Sequence, residues 1–122
     1  SNPDYVAYTD GACWREKYDT SIGRGGYGVI LIKTNGDNFK GIEYSEGYVL
    51  TTNNRMELMA VIIALRNVPE QSKVRIYSDS LYVIKIMRRE NESYENSDLW
   101  NEYSKLVFEK KARCGSGMGK RA

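Results

Sequence analysis

The sequence predicts an α/β domain on a mixed sheet: a three-stranded antiparallel meander, then a helical crossover to a strand parallel to the first. Three observations carry this expectation. Alternating or glycine-opened apolar segments fill the first third of the chain, and Asn35-Gly36 marks a hairpin between two of them. From Asn54 onward the apolar period changes from two to that of a helix. A helix joining two strands of one sheet makes a right-handed crossover, so the strand after it falls beside the first strand.

Taken in order, Tyr5 to Asp10 alternates and reads as a strand ending in Asp10-Gly11. Gly25 to Ile32 is a second strand opened by glycines, and Phe39 to Val49 returns after the Asn35-Gly36 turn. A helix from Asn54 to Val68 follows and stops at Pro69, which cannot donate to the helical ladder. Val74 to Ser78 is the fourth strand, Ser80 to Arg89 a helix and Glu90 to Asn96 a polar loop. From Ser97 a last amphipathic helix carries Leu99, Trp100, Tyr103, Leu106 and Val107 at three- and four-residue spacing. The order is β-β-β-α-β-α-α, without an internal repeat or a linker.

Composition sets the class. With 122 residues, 41% hydrophobic and 28% charged, the chain suits one globular domain with a core of its own. The longest apolar run, Leu58 to Leu65, is too short to cross a bilayer, and no leader pattern precedes it. Cys13 and Cys114 make no disulfide framework, which points to a reducing, cytoplasmic setting. The net charge of +2 hides an asymmetry, because every acid lies at or before Glu109 while five basic residues follow it. The body is therefore net acidic, and charge alone does not point to a nucleic-acid partner.

The chemistry rests on Asp10, Glu57 and Asp79. Glu57 shares its helix face with Ala60, Val61, Ala64 and Val68. A carboxylate on an apolar face costs several kcal/mol unless it is paired or binds a metal. The chain has no His, and that face has no Lys or Arg, so a cation shared with other acids is the natural resolution. In the predicted topology Asp10 and Asp79 end neighbouring parallel strands, the usual place for sites in open α/β sheets, and Glu57 reaches the same edge. Each acid also has a structural reading: Asp10-Gly11 as a hairpin turn, Glu57 completing a cap with Asn54, Asp79 as the N-cap of the helix at Ser80. Oxygen-only ligands point to Mg²⁺ or Mn²⁺ rather than zinc.

Five segments, in order, resemble the ribonuclease H family of type 1. They are Tyr8-Thr9-Asp10-Gly11-Ala12-Cys13, Gly23-Arg24-Gly25-Gly26-Tyr27-Gly28, the stretch Thr51 to Ala60, Ser78-Asp79-Ser80-Leu81-Tyr82-Val83, and Asn96-Ser97-Asp98-Leu99-Trp100. The resemblance implies a ribonuclease H-like fold and an endonuclease that cuts the RNA strand of RNA–DNA hybrids with two divalent ions held by four acids. Three of the four map onto Asp10, Glu57 and Asp79, with Asp10 between the ions. It further implies that Thr52 and Asn96 hold a DNA-strand phosphate. Asn53 and Asn54 would read the minor groove, where the 2′-hydroxyl distinguishes RNA, and the Gly11-Ala12-Cys13 backbone would lie along the RNA strand.

The sequence also departs from that pattern. Leu81 stands where a glutamine is common, and Leu50 where an arginine often precedes the phosphate-binding threonine. Only 18 residues separate Asp79 from Asp98, too few for a basic helical protrusion, and Lys85, Arg88 and Arg89 replace it at most in part. Beyond Glu109 a glycine-rich basic stretch takes the place of the family's fifth strand, His loop and final helix with the fourth acid. The expected organisation is therefore a C-terminally incomplete domain over 1–109 and a disordered tail over 110–122 that forms no strand, through natural loss, truncation or a shifted reading frame. Val74 to Ser78 would then be an uncovered edge inviting self-association. The alternative functions are a catalytically impaired relic that binds hybrids, a structural module, or a fragment of a larger polyprotein.

Overall fold

The protein is described by a computed structural model covering residues 2–14, 23–34, 41–88 and 96–114. Strands β1 (Tyr5–Trp14), β2 (Gly23–Lys33) and β3 (Gly41–Thr51) form the antiparallel meander. Helix α1 (Asn53–Arg66) crosses over to β4 (Lys73–Tyr77), followed by α2 (Leu81–Met87), α3 (Ser97–Glu109) and β5 (Lys111–Cys114). The five strands lie in the order β3-β2-β1-β4-β5. As the crossover requires, β4 runs parallel to β1, from Tyr5 opposite Val74 to Tyr8 opposite Tyr77.

Strand β1 continues past its predicted end. Its pairing with β2 holds from Tyr5 opposite Lys33 through Asp10 opposite Gly28 to Trp14 opposite Arg24, so Asp10-Gly11 lies inside a strand and not in a turn. Helix α1 begins and ends close to its predicted limits. Thr52, extended at φ −123°, accepts the Arg55 N–H on its hydroxyl, and Asn67 closes the last turn two residues before Pro69. The Asn35-Gly36 turn and the loop predicted from Glu90 fall on residues outside those described.

The C-terminal expectation needs correction. Lys111 to Cys114 form a fifth strand, parallel to β4, with Lys73 opposite Lys111 and Ile76 opposite Cys114. The folded part thus passes beyond Glu109, and β4 is an interior strand rather than the uncovered edge expected to drive self-association. The physical reason is that ladder hydrogen bonds use main-chain groups. An edge strand can therefore form without an apolar pattern of its own. Glycines begin only at Gly115, and residues 115–122 lie outside those described.

Helix α1 explains why its sequence is apolar on nearly every side. It packs on β1 and β2 below and against α2 and α3 laterally, burying Met56, Leu58, Ala60, Val61, Ile62, Ala64 and Leu65. Facing them are Ala7, Val29, Leu31, Val74 and Ile76 from the sheet and Val83, Ile86, Leu99, Tyr103 and Leu106 from the other helices. Each large side chain buried here contributes about 1.5–3 kcal/mol. The core therefore fixes α1 against β1, and with it every group at the start of the helix.

Candidate active site

Gly11 sets the approach of α1 to β1. A β-carbon at this position would lie 2.4 Å from the Met56 carbonyl carbon and 2.5 Å from the Glu57 nitrogen, so only glycine lets the first turn of the helix rest on the strand. The Gly11 N–H donates to Glu57 Oε1 at 3.1 Å, which orients a carboxylate only 6% exposed. Just before the acids, β1 and β4 are joined by the stacked rings of Tyr8 and Tyr77, whose centroids are 5.2 Å apart. Buried Thr9 adds a long contact of 3.5 Å from its hydroxyl to the Tyr77 carbonyl.

Asp79 leaves β4 in a turn built by its neighbours. The Ser80 N–H donates to Ser78 Oγ at 3.1 Å, and Ser80 Oγ accepts the Val83 N–H at 3.2 Å as the N-cap of α2. Asp10 and Asp79 are exposed, Glu57 is buried, and one oxygen from each lies within 4.8 Å of the others. The three structural readings of these acids are thereby removed. Thr52 and Ser80 do the capping, Asp10 sits within a strand, and Glu57 turns to the Gly11 N–H.

Three carboxylates this close repel one another, and a cation between them relieves that repulsion. Oxygens sharing one Mg²⁺ stand on the order of 3–4 Å apart, so the observed spacing suits a hard divalent ion after small side-chain rotations. The donor set holds neither His nor Cys, which disfavours zinc.

The other predicted residues lie on β1, at the start of α1 and before α3. Gly11, Ala12 and Cys13 continue β1 opposite Tyr27, Gly26 and Gly25. Asn53 and Asn54 are exposed on the first turn of α1, beside half-buried Thr52. Asn96 precedes α3 in the left-handed region at φ 61°, a conformation that asparagine tolerates. Leu81 is 69% exposed, so the missing glutamine leaves an apolar side chain facing solvent.

Sequence reasoning missed Arg55. Its guanidinium donates to Asn96 Oδ1 at 3.1 Å and, as a fork, to Asp98 Oδ1 at 3.0 Å and Oδ2 at 2.7 Å. These bonds hold the Asp98 carboxyl down at about 2 and raise the Arg55 guanidinium further. Asn96 Nδ2 in turn donates to the Tyr82 hydroxyl at 3.2 Å. No local signal links positions more than 40 residues apart, though the arginine inside an otherwise capping-like stretch is the one cue available.

A five-stranded mixed sheet in this order, with helices against it and acids at the carboxyl end of its central parallel pair, defines a ribonuclease H-fold domain. The sequence model of the RNase H family matches residues 2–114, and the chain belongs to that family. The chain is 38% identical over 115 residues to Ribonuclease HI of Synechocystis sp., covering 82% of this chain and 67% of that protein. It spans about two thirds of the length of the curated relatives it matches. Among solved structures, LC9-RNase H1, described as a type 1 RNase H with the type 2 active-site motif, superimposes with a TM-score of 0.75 at 24% identity, covering 96% of this chain and 64% of that one. LC11-RNase H1, solved in complex with an RNA/DNA hybrid, gives a TM-score of 0.69 at 20% identity, covering 91% and 84%. These two likenesses concern the fold. Among the described residues, no helix is long and apolar enough to cross a membrane.

Proposed function

We propose that the chain hydrolyses the RNA strand of RNA–DNA hybrids, with Asp10, Glu57 and Asp79 holding two divalent cations, Mg²⁺ or Mn²⁺. The observation that carries this reading is the convergence of three carboxylate oxygens within 4.8 Å, one of them buried and aligned by a main-chain N–H. When bound, such ions supply the positive charge that favours water attack on phosphorus and departure of the 3′ oxygen. The chain's own part is placement. Gly11 and the α1 packing hold Glu57, while the parallel pairing of β1 with β4, which ends at Tyr8 and Tyr77 just before the acids, holds Asp10 and Asp79. Asn53 and Asn54 carry amides that both donate and accept, as recognition of a 2′-hydroxyl requires, and Thr52 and Asn96 take a phosphate of the DNA strand.

A second reading is hybrid binding with impaired catalysis, since among the described residues three acids, and not a fourth, meet in the cluster. The Glu109 carbonyl accepts the Gln71 N–H at 3.1 Å, just before the amino end of β4. Asp79 lies beyond the other end of that five-residue strand, which is itself about 16 Å long. Glu109 therefore adds nothing to the cluster. A labelled hybrid incubated with Mg²⁺ or Mn²⁺, beside an Asp10→Asn control, tests both readings. The expected result is cutting confined to the RNA strand and lost in the control, with single-stranded RNA and duplex DNA left largely intact. Tight binding without cutting selects the second reading. Equal cutting of single-stranded RNA, or cutting unaffected by Asp10→Asn, overturns the first.

A further inference from the structure

Asparagine before a helix ordinarily accepts an N–H of the first turn on its side-chain oxygen, a bond worth about 1 kcal/mol. Asn96 does not: it makes no side-chain cap bond at the start of α3. Its amide is held at both ends instead. Oδ1 accepts from Arg55 Nη1 at 3.1 Å, and Nδ2 donates to the Tyr82 hydroxyl at 3.2 Å. A guanidinium can only donate, so it forces the amide oxygen inward and the nitrogen toward Tyr82. Among the described residues this leaves one N–H of a half-buried amide to meet a ligand, and that ligand must be an acceptor. Arg55 also fastens the neighbouring position, because its own N–H donates to Thr52 Oγ at 3.3 Å.

We infer that Arg55 and Tyr82 are positioning residues: they lock the Asn96 amide with its N–H presented as donor to a backbone phosphate of the bound hybrid. The inference rests on the reading of the chain as a hybrid-binding nuclease. Asp98 is the third member of the device. By engaging both Nη1, which it shares with Asn96, and Nη2, it stops the guanidinium from swinging away from Asn96. An arginine is needed for this. A lysine ammonium would keep the ion pair with Asp98 but cannot span the carboxylate and the amide in one plane. Without the lock the amide is free to turn its oxygen toward the phosphate, where it repels.

The test is a double-mutant cycle on hybrid affinity, read by fluorescence anisotropy of a labelled hybrid without divalent metal, so that no cleavage intervenes. Arg55→Lys should weaken binding about tenfold and Tyr82→Phe about threefold, as loss of an orienting hydrogen bond implies. In the Asn96→Ala background either substitution should add less than about twofold, because the group being oriented is gone. A merely structural tie between Arg55 and Asp98 would behave differently, since Arg55→Lys would largely preserve it. Tyr82→Phe removes one hydroxyl and keeps the packing, so the cycle stands even where Arg55→Lys lowers stability. Equal factors with and without the Asn96 amide, or no loss of affinity in either single variant, would overturn the inference while leaving the proposed function intact. A wild-type chain that binds no hybrid would overturn the proposed function and the inference with it.

Discussion

At the scale of single residues, the site depends as much on what Gly11 lacks as on what the acids supply. The start of α1 occupies the space where a β-carbon would be, against main-chain atoms that cannot rotate aside. Gly11→Ala should therefore force the helix off the strand and lengthen the Gly11–Glu57 hydrogen bond. We expect a loss of about 1–3 kcal/mol, the usual cost of overpacking, visible as a lower Tm. Metal affinity measured by calorimetry should fall as well, because Glu57 no longer points at its partners. An alanine variant with wild-type Tm and wild-type metal binding would show that the approach is softer than the geometry implies.

At the scale of elements, the Arg55–Asp98 pair fastens the start of α1 to the start of α3, and it titrates. The Arg55 hydrogen bonds hold the Asp98 carboxyl at about 2, below its ordinary 3.8. A carboxyl depressed on folding contributes stability that is fully present above its unfolded value and is lost as pH falls through its folded one. The window is thus from about pH 4 down to about pH 2. The Asp98 side chain is 64% exposed, so solvent screening keeps the contribution within about 1 kcal/mol. Urea unfolding of the wild type and Asp98→Asn across this window should give curves that converge toward the acid end. Curves that stay parallel would mean that the pair contributes nothing to folding.

At the scale of the whole molecule, β5 decides which strand is the sheet's edge. Its four residues cover the main-chain groups of β4 from Lys73 to Ile76. Removing them, by ending the chain after Lys110, would expose a parallel edge whose Val74 and Ile76 are buried. The shortened chain should melt lower and self-associate, because an uncovered apolar strand templates pairing with another copy. Sedimentation of the two forms side by side checks this. A shortened chain that stays monomeric at unchanged Tm would show that the strand adds nothing to the sheet.

By itself the sequence determined the order of elements up to α3, the crossover that sets β4 beside β1, and the set of acids brought to one edge. These are legible because burial writes a local period: two in β1, 3.6 along α1. The oddity of Glu57 on an apolar face is visible against that period. What only the tertiary structure decided lies where local pattern carries no signal. Lys111 to Cys114 become a strand because β4 offers them a ladder, not because their side chains ask for one. Thr52 and Ser80 take the capping roles that local pattern offers to Glu57 and Asp79, since helix starts are set by where the chain leaves the sheet. The grip of Arg55 on Asn96 and Asp98 exists only because the core packs α3 beside α1, and no periodicity reports a contact made across such a distance.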